Sequence, residues 1–140
     1  MASEIACKAL AGGLRMTNAV PRRPVVLVVE DEFLLRLNAV LMIEDAGFDV
    51  LEAVDADQAI EILEARPDIH VIFTDIQLPG SMDGLKLAHA VRGRWPPIKI
   101  IATSGRVNLR TDDLPEGGRF LLKPYGPEEV VGTLRELVGA

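Results

Sequence analysis

Five short apolar runs alternate along the chain with stretches in which apolar residues recur every three or four positions. The first run, Val25-Val26-Leu27-Val28-Val29, ends in Glu30-Asp31-Glu32. A run that is apolar at every position suits a strand buried on both faces. Residues 33–46 follow helical spacing, with Leu34, Leu37 and Leu41 on one stripe, Phe33 and Val40 beside it, and Gly47 as the stop. Residues 48–54 read as a second strand. Asp55, with Gln58 three positions on, has the pattern of a capping box. It opens a helix whose Ala56, Ala59, Ile60 and Leu63 face inward and which Arg66-Pro67 ends.

A third strand, residues 70–74, runs into Asp75 and the turn-rich Ile76-Gln77-Leu78-Pro79-Gly80. A helix is predicted from Asp83-Gly84 to Pro96-Pro97, with Ala88, Val91 and Trp95 on one face. Residues 98–103 form a fourth strand, and residues 119–122 a fifth that leads into Lys123-Pro124. The last helix opens at Gly126-Pro127-Glu128-Glu129, with proline in its first turn and acids against its dipole. Its buried stripe reads as Val131, Leu134 and Val138. Residues 105–117 are the weak member: Gly105, Asn108, Asp112, Asp113, Pro115 and Gly117 leave few apolar positions, so at most a short helix is predicted there. Regular alternation of strand and helix implies an α/β fold, a parallel sheet with helices on both faces.

Composition narrows the function classes. A chain of 140 residues, 49% hydrophobic and 26% charged, fits one soluble domain with a single core. The net charge of −6 speaks against nonspecific nucleic-acid binding, which needs clustered Lys and Arg. Cys7 is the single cysteine, so an intrachain disulfide and a cysteine-based metal site are excluded. That usage agrees with a reducing cytoplasm. No apolar run approaches the roughly 20 residues that cross a bilayer. Residues 1–24, closed by Pro21-Arg22-Arg23-Pro24, stand apart and read as a mobile tail, with a docking arm or short amphipathic helix as the other reading.

The candidate chemistry lies where strands end. Glu30 and Asp31 follow the first strand, Asp75 the third, Thr103 the fourth and Lys123 the fifth. In an open parallel sheet these tips share one edge, and ligands bind there, at the point where strand order reverses. Pro79-Gly80 prevents a helix from starting directly after Asp75, which weakens a capping role. Charges about 4 Å apart repel by about 4 kcal/mol at an effective dielectric near 20. Three gathered carboxylates therefore need a protonation or a cation. Lys123 offsets one charge, and a divalent ion would balance the rest. Oxygen ligands without histidine favour magnesium over zinc.

Taken together, Val28-Val29-Glu30-Asp31-Glu32, Thr74-Asp75-Ile76-Gln77-Leu78-Pro79-Gly80-Ser81-Met82-Asp83-Gly84, Ala102-Thr103-Ser104 and Phe120-Leu121-Leu122-Lys123-Pro124 resemble the receiver domain of two-component response regulators. The resemblance covers residues 25–140. It implies a five-stranded parallel sheet in the order 2-1-3-4-5, the flavodoxin-like receiver fold. It implies that Asp75 accepts a phosphoryl group from a histidine kinase or histidine phosphotransfer protein, a covalent step by a carboxylate. Mg²⁺ would be held by Asp31 and Asp75, by the backbone carbonyl of Gln77 and, through water, by Glu30. Thr103 and Lys123 would bind phosphoryl oxygens, and Phe120 would follow Thr103 as the switch. A cis Lys123-Pro124 peptide is also implied.

Such a protein catalyses only its own phosphorylation and dephosphorylation and signals by conformational change to a downstream protein. It would be cytoplasmic, a monomer or weak dimer, with no membrane or nucleic-acid partner. With its last residue at 140, the chain reads as a stand-alone receiver. Three departures stand out: a turn one residue longer after Pro79, Glu for Asp at the first acidic position, and the weak residues 105–117 in the fourth-helix place. The last favours an order–disorder change over signalling through a rigid helix. A receiver that is never phosphorylated is opposed by the intact Asp75, Asp31, Thr103 and Lys123. A flavodoxin-like cofactor binder is opposed by the acids after the first strand, and a magnesium-dependent phosphatase by Gln77 where a second Asp belongs. His70 and His89 read as surface or packing residues.

Overall fold

The computed structural model describes residues 23–106 and 110–139. The expectation of a mobile tail therefore falls almost wholly outside the described residues. The elements are β1 (Val25–Val29), α1 (Phe33–Asp45), β2 (Asp49–Ala53), α2 (Ala56–Ala65), β3 (Ile69–Asp75), α3 (Gly84–Arg94), β4 (Lys99–Ser104), β5 (Arg119–Leu122) and α4 (Pro127–Leu137). All strand pairs are parallel, and the sheet order is β2-β1-β3-β4-β5. The α/β fold and its strand order are thus as expected.

Side-chain alternation along the strands divides the core. Val25, Leu27 and Val29 of β1 face Ala56, Ala59 and Leu63 of α2 and Leu87, Ala88 and Val91 of α3. Val26 and Val28 face Ala39, Val40 and Ile43 of α1 and Val130 and Leu134 of α4. Both faces of β1 are fully covered, which is why the strand reads as an unbroken apolar run.

Local signals act as the sequence suggests. Asp55 accepts from the Gln58 amide at 2.9 Å, and Gln58 Oε1 accepts from the Val54 amide at 2.8 Å, one residue further back than the standard box. Gly47, at φ +101°, takes the left-handed conformation that closes α1. Asp83 caps α3 by accepting from Lys86 at 2.8 Å.

Two helix faces differ from expectation. The Leu34, Leu37 and Leu41 stripe points away from the sheet, 73%, 40% and 56% exposed, while Ala39, Val40 and Ile43 are the buried set. α1 is apolar on nearly every side, so spacing by itself could not choose the face that packs. In α4, Val130 occupies the core place expected for Val131, with Leu134 beside it and Val138 partly buried. The slip is one position, because either valine completes a helical repeat with Leu134.

Between β4 and β5, one 3-10 turn, Thr111–Asp113, is the only helix among the described residues, as the composition predicts. Two side chains of α3 reach this connection. His89 Nε2 lies 2.9 Å from the Asp113 carbonyl, and Arg92 donates to the Glu116 carbonyl and, at 2.9 Å, to that of Pro96. Leu114 packs with Ile76 and Ala102, and Phe120 and Leu85 close over them.

Candidate functional site

β1 and β3 are neighbours, but β2 and β4 follow on opposite sides, so strand order reverses between them. The crevice beyond their carboxyl ends is the expected ligand position of a doubly wound sheet. Glu30 leaves β1 there, its amide bonded to the Ala53 carbonyl at 3.0 Å and its carbonyl bonded by Arg36 at 3.0 Å. Arg36 also pairs with Glu52 at 3.0 Å, tying the start of α1 to β2 behind the site. Sequence reasoning passed over Arg36, since nothing in its spacing marks an inward-turned guanidinium.

Asp75 ends β3 and lies opposite Thr103 in the β3–β4 register. Its carboxylate accepts from the Gln77 amide at 3.1 Å, while Ile76 donates to the Thr103 carbonyl at 2.9 Å. The loop is therefore pinned on both sides of the acid. Gly84 pins it from above: its amide donates to the Ile76 carbonyl at 2.8 Å. A Cβ at Gly84 would stand 1.9 Å from the Asp75 carbonyl oxygen, so only glycine lets α3 begin there. The Asp83-Gly84 step announced a helix start in the sequence, but not this approach, which depends on tertiary packing.

Lys123 reaches in from the end of β5, across a cis Lys123-Pro124 peptide. Its Nζ lies 3.0 Å from Glu30 Oε1 and 3.2 Å from Asp75 Oδ2. Glu30, Asp31 and Asp75 each offer an oxygen, and these lie within 4.8 Å of one another. Glu30 and Asp75 are buried, whereas Asp31 is exposed. Burial pushes the Glu30 carboxyl above its ordinary range, and the hydrogen bonds from Lys123 and the Glu32 amide offset only part of this. Burial also works against a charged Lys123. There the hydrogen bond to Glu30 and the charge of Asp75 win, holding its pKa above the ordinary value.

Expected site residues thus meet in part. Glu30, Asp31, Asp75 and Lys123 form one cluster, and Thr103 stands beside it with 1% exposure. The Gln77 side chain is exposed, leaving its backbone as the part that adjoins Asp75. Phe120 is half-buried and belongs to the neighbouring Leu114 cluster. The three carboxylates suit a hard divalent cation in donor type and spacing. The arrangement is that of one buried carboxylate, Asp75, flanked by an ammonium group and by two further acids close enough to share a cation with it.

Such a pocket on this fold defines a phosphoryl-accepting signalling module, and sequence comparison agrees. Residues 26–135 match the response regulator receiver domain, and the chain belongs to that family. It is 32% identical over 117 residues to the sensor kinase CckA of Brucella abortus, covering 81% of this chain and 12% of that protein. It is 32% identical over 124 residues to the aerobic respiration control protein ArcA of Escherichia coli, covering 82% of this chain and 48% of that one. The chain thus spans less than half the length of these relatives. Among solved structures it is similar to a response regulator receiver protein from Sinorhizobium medicae, with TM-score 0.78, 27% identity and coverage of 84% and 96%. The fold also matches the chemotaxis response regulator CheY4 of Vibrio cholerae, with TM-score 0.74, 24% identity and coverage of 83% and 99%. Accepting a phosphoryl group is the general function of receivers, and they bind Mg²⁺ at an acidic pocket. Among the described residues, no helix is long and apolar enough to cross a membrane.

Proposed function

We propose that Asp75 accepts a phosphoryl group from the phosphohistidine of a sensor histidine kinase or histidine phosphotransfer protein. The observation that carries this reading is the Asp75 carboxylate at the end of β3, 3.2 Å from Lys123 and within one cation's reach of Glu30 and Asp31. An Asp75 oxygen forms the O–P bond as the P–N bond breaks, and the departing imidazole keeps the electron pair. Asp31 and Asp75, the Gln77 carbonyl and, through water, Glu30 would hold Mg²⁺. When bound, that ion supplies positive charge for the phosphoryl oxygens. Lys123 exchanges its bond to Glu30 for one to a phosphoryl oxygen, and the Thr103 hydroxyl donates to another. Residues 25–140 form the receiver unit and act in the cytoplasm. The near-complete coverage of the matched solved receivers supports a unit of this size.

The test is incubation with acetyl phosphate, followed by intact mass spectrometry. One phosphoryl group per chain is expected with Mg²⁺ and none in chelator. Equal uptake without the metal would contradict the role given to the acids.

Transmission follows from the same geometry. Thr103 moves toward the new phosphoryl group, Ala102 moves with it, and the Ile76, Ala102, Phe120 and Leu114 cluster repacks. Leu114 is the buried apolar anchor of the 3-10 segment. That segment is therefore released to a downstream protein rather than shifted as a rigid helix. Amides at 110–118 are expected to exchange at least tenfold faster in the presence of beryllofluoride and Mg²⁺. Strong protection that stays the same with and without the analogue would count against this output route.

A further inference from the structure

Lys123 and Arg36 both adjoin the acids of the pocket, but they hold different atoms. Lys123 Nζ meets the carboxylates of Glu30 and Asp75 at 3.0 and 3.2 Å. Arg36 donates from Nη1 to the backbone carbonyl of Glu30 at 3.0 Å and from Nε to Glu52 Oε1, also at 3.0 Å. Both Arg36 bonds therefore lead away from the oxygens that would face a cation. We infer that Arg36 is a positioning residue for the divalent ion, fixing the Glu30-Asp31 peptide so that Asp31 stands within reach of Asp75 before the ion arrives. This inference rests on the Mg²⁺-dependent reading of the pocket given above.

The backbone shows why such a hold is needed. Asp31 is exposed, so core packing does not place its carboxylate. Its position depends on the turn that carries it. The Glu30 amide donates to the Ala53 carbonyl at 3.0 Å, which secures the peptide before Glu30. The Glu32 amide donates to Glu30 Oε2 at 3.1 Å, which secures the peptide after Asp31. Between them lies the unit that contains the Glu30 carbonyl and the Asp31 Cα, all in one plane. Held at its oxygen by Arg36, that plane sets the direction in which Asp31 leaves the strand.

Arg36 is itself held firmly. Its side chain is only 14% exposed, and its guanidinium carbon lies 5.6 Å from the centre of the Phe33 ring. Glu52 sits on β2 opposite Val28, so the second bond anchors the guanidinium to the sheet. A planar group bonded through two of its nitrogens is fixed in orientation, which a point-like ammonium is not. Glu52 also offsets the arginine's charge, so the turn is held with little net repulsion toward an incoming cation.

Charge by itself predicts the opposite effect from positioning. A guanidinium near the pocket repels Mg²⁺, and its removal leaves Glu52 unpaired. If the field alone mattered, a neutral residue at position 36 would tighten metal binding. Release of the turn weakens it instead, by about tenfold, as is usual when a group that orients a metal ligand is lost.

The experiment adds Mg²⁺ stepwise to the full chain with no phosphate donor and follows the amide signals of Asp31 and Gln77. Arg36→Met keeps an apolar stem beside Phe33 and is expected to bind about tenfold more weakly than wild type. Arg36→Lys keeps the charge and one donor but not the fork, and is expected to fall between the two. Affinity in Arg36→Met equal to or tighter than wild type overturns the inference, and so does Arg36→Lys binding more weakly than Arg36→Met. An unfolding temperature that drops in chelator with unchanged affinity marks a purely structural arginine and overturns it as well. If Arg36→Met does not fold, Arg36→Gln, equally neutral, is judged by the same sign. Wild-type protein that binds no Mg²⁺ removes the reading of the pocket and this inference together. Wild-type binding with unaffected variants removes the inference alone.

Discussion

Replacing Asp75 with asparagine is expected to abolish phosphoryl uptake from acetyl phosphate while raising the unfolding temperature in chelator. Loss of uptake follows from the missing nucleophile, since an amide oxygen does not form the acyl phosphate. The gain in stability follows from the charge balance of the pocket. Asp75 faces two acids whose oxygens lie within 4.8 Å, and one ammonium group at 3.2 Å. At an effective dielectric near 20 each repulsion is roughly 3.5 kcal/mol and the attraction roughly 5 kcal/mol, leaving a net penalty of about 2 kcal/mol. Asparagine removes that penalty and keeps the acceptor used by the Gln77 amide. One kcal/mol corresponds to about 4 °C for a domain of this size. A rise of several degrees, measured by calorimetry with chelator, checks the stability half, and intact mass checks the chemical half. A variant that still takes up one phosphoryl group at the wild-type rate would move the acceptor elsewhere.

Gly84→Ala is expected to lose about 3 kcal/mol of stability, at the upper end of overpacking costs, and to slow uptake about a hundredfold. The added methyl would meet the Asp75 carbonyl oxygen at 1.9 Å and the Ile76 Cα at 2.7 Å, both backbone atoms that no side-chain rotation can clear. Either α3 lifts off the sheet edge or the strand end that carries Asp75 shifts. Gly93→Ala, in the same helix, is the control. It meets nothing within 4 Å and should gain about 0.5–1 kcal/mol from helix propensity. Denaturant unfolding of the two variants, with uptake rates from mass spectra, separates a local clash from general glycine intolerance.

These contrasts show what kind of information the sequence carries. The strand ends were legible because each buried run stops at a polar residue, and parallel pairing brings such stops to one edge. That rule alone groups Glu30, Asp31, Asp75 and Lys123, and the structure brings the four together. α1 was legible as a helix but not in its orientation, because Leu34, Leu37 and Leu41 repeat as regularly as Ala39, Val40 and Ile43. The choice between them is made by tertiary packing, which sets Ala39, Val40 and Ile43 against Val26 and Val28 of β1 and Val130 and Leu134 of α4. Gly84, Arg36, His89 and Arg92 act through backbone atoms outside their own helices. No periodicity records such contacts.

The acids that surround Asp75 are unequal, with Glu30 deep in the fold and Asp31 at its surface. The pocket therefore meets solvent on the Asp31 side. With Asp75 as the proposed acceptor, a phosphoryl donor and the water that cleaves the acyl phosphate would both approach from there, so easier access would shorten the memory of the signal as it hastens its arrival.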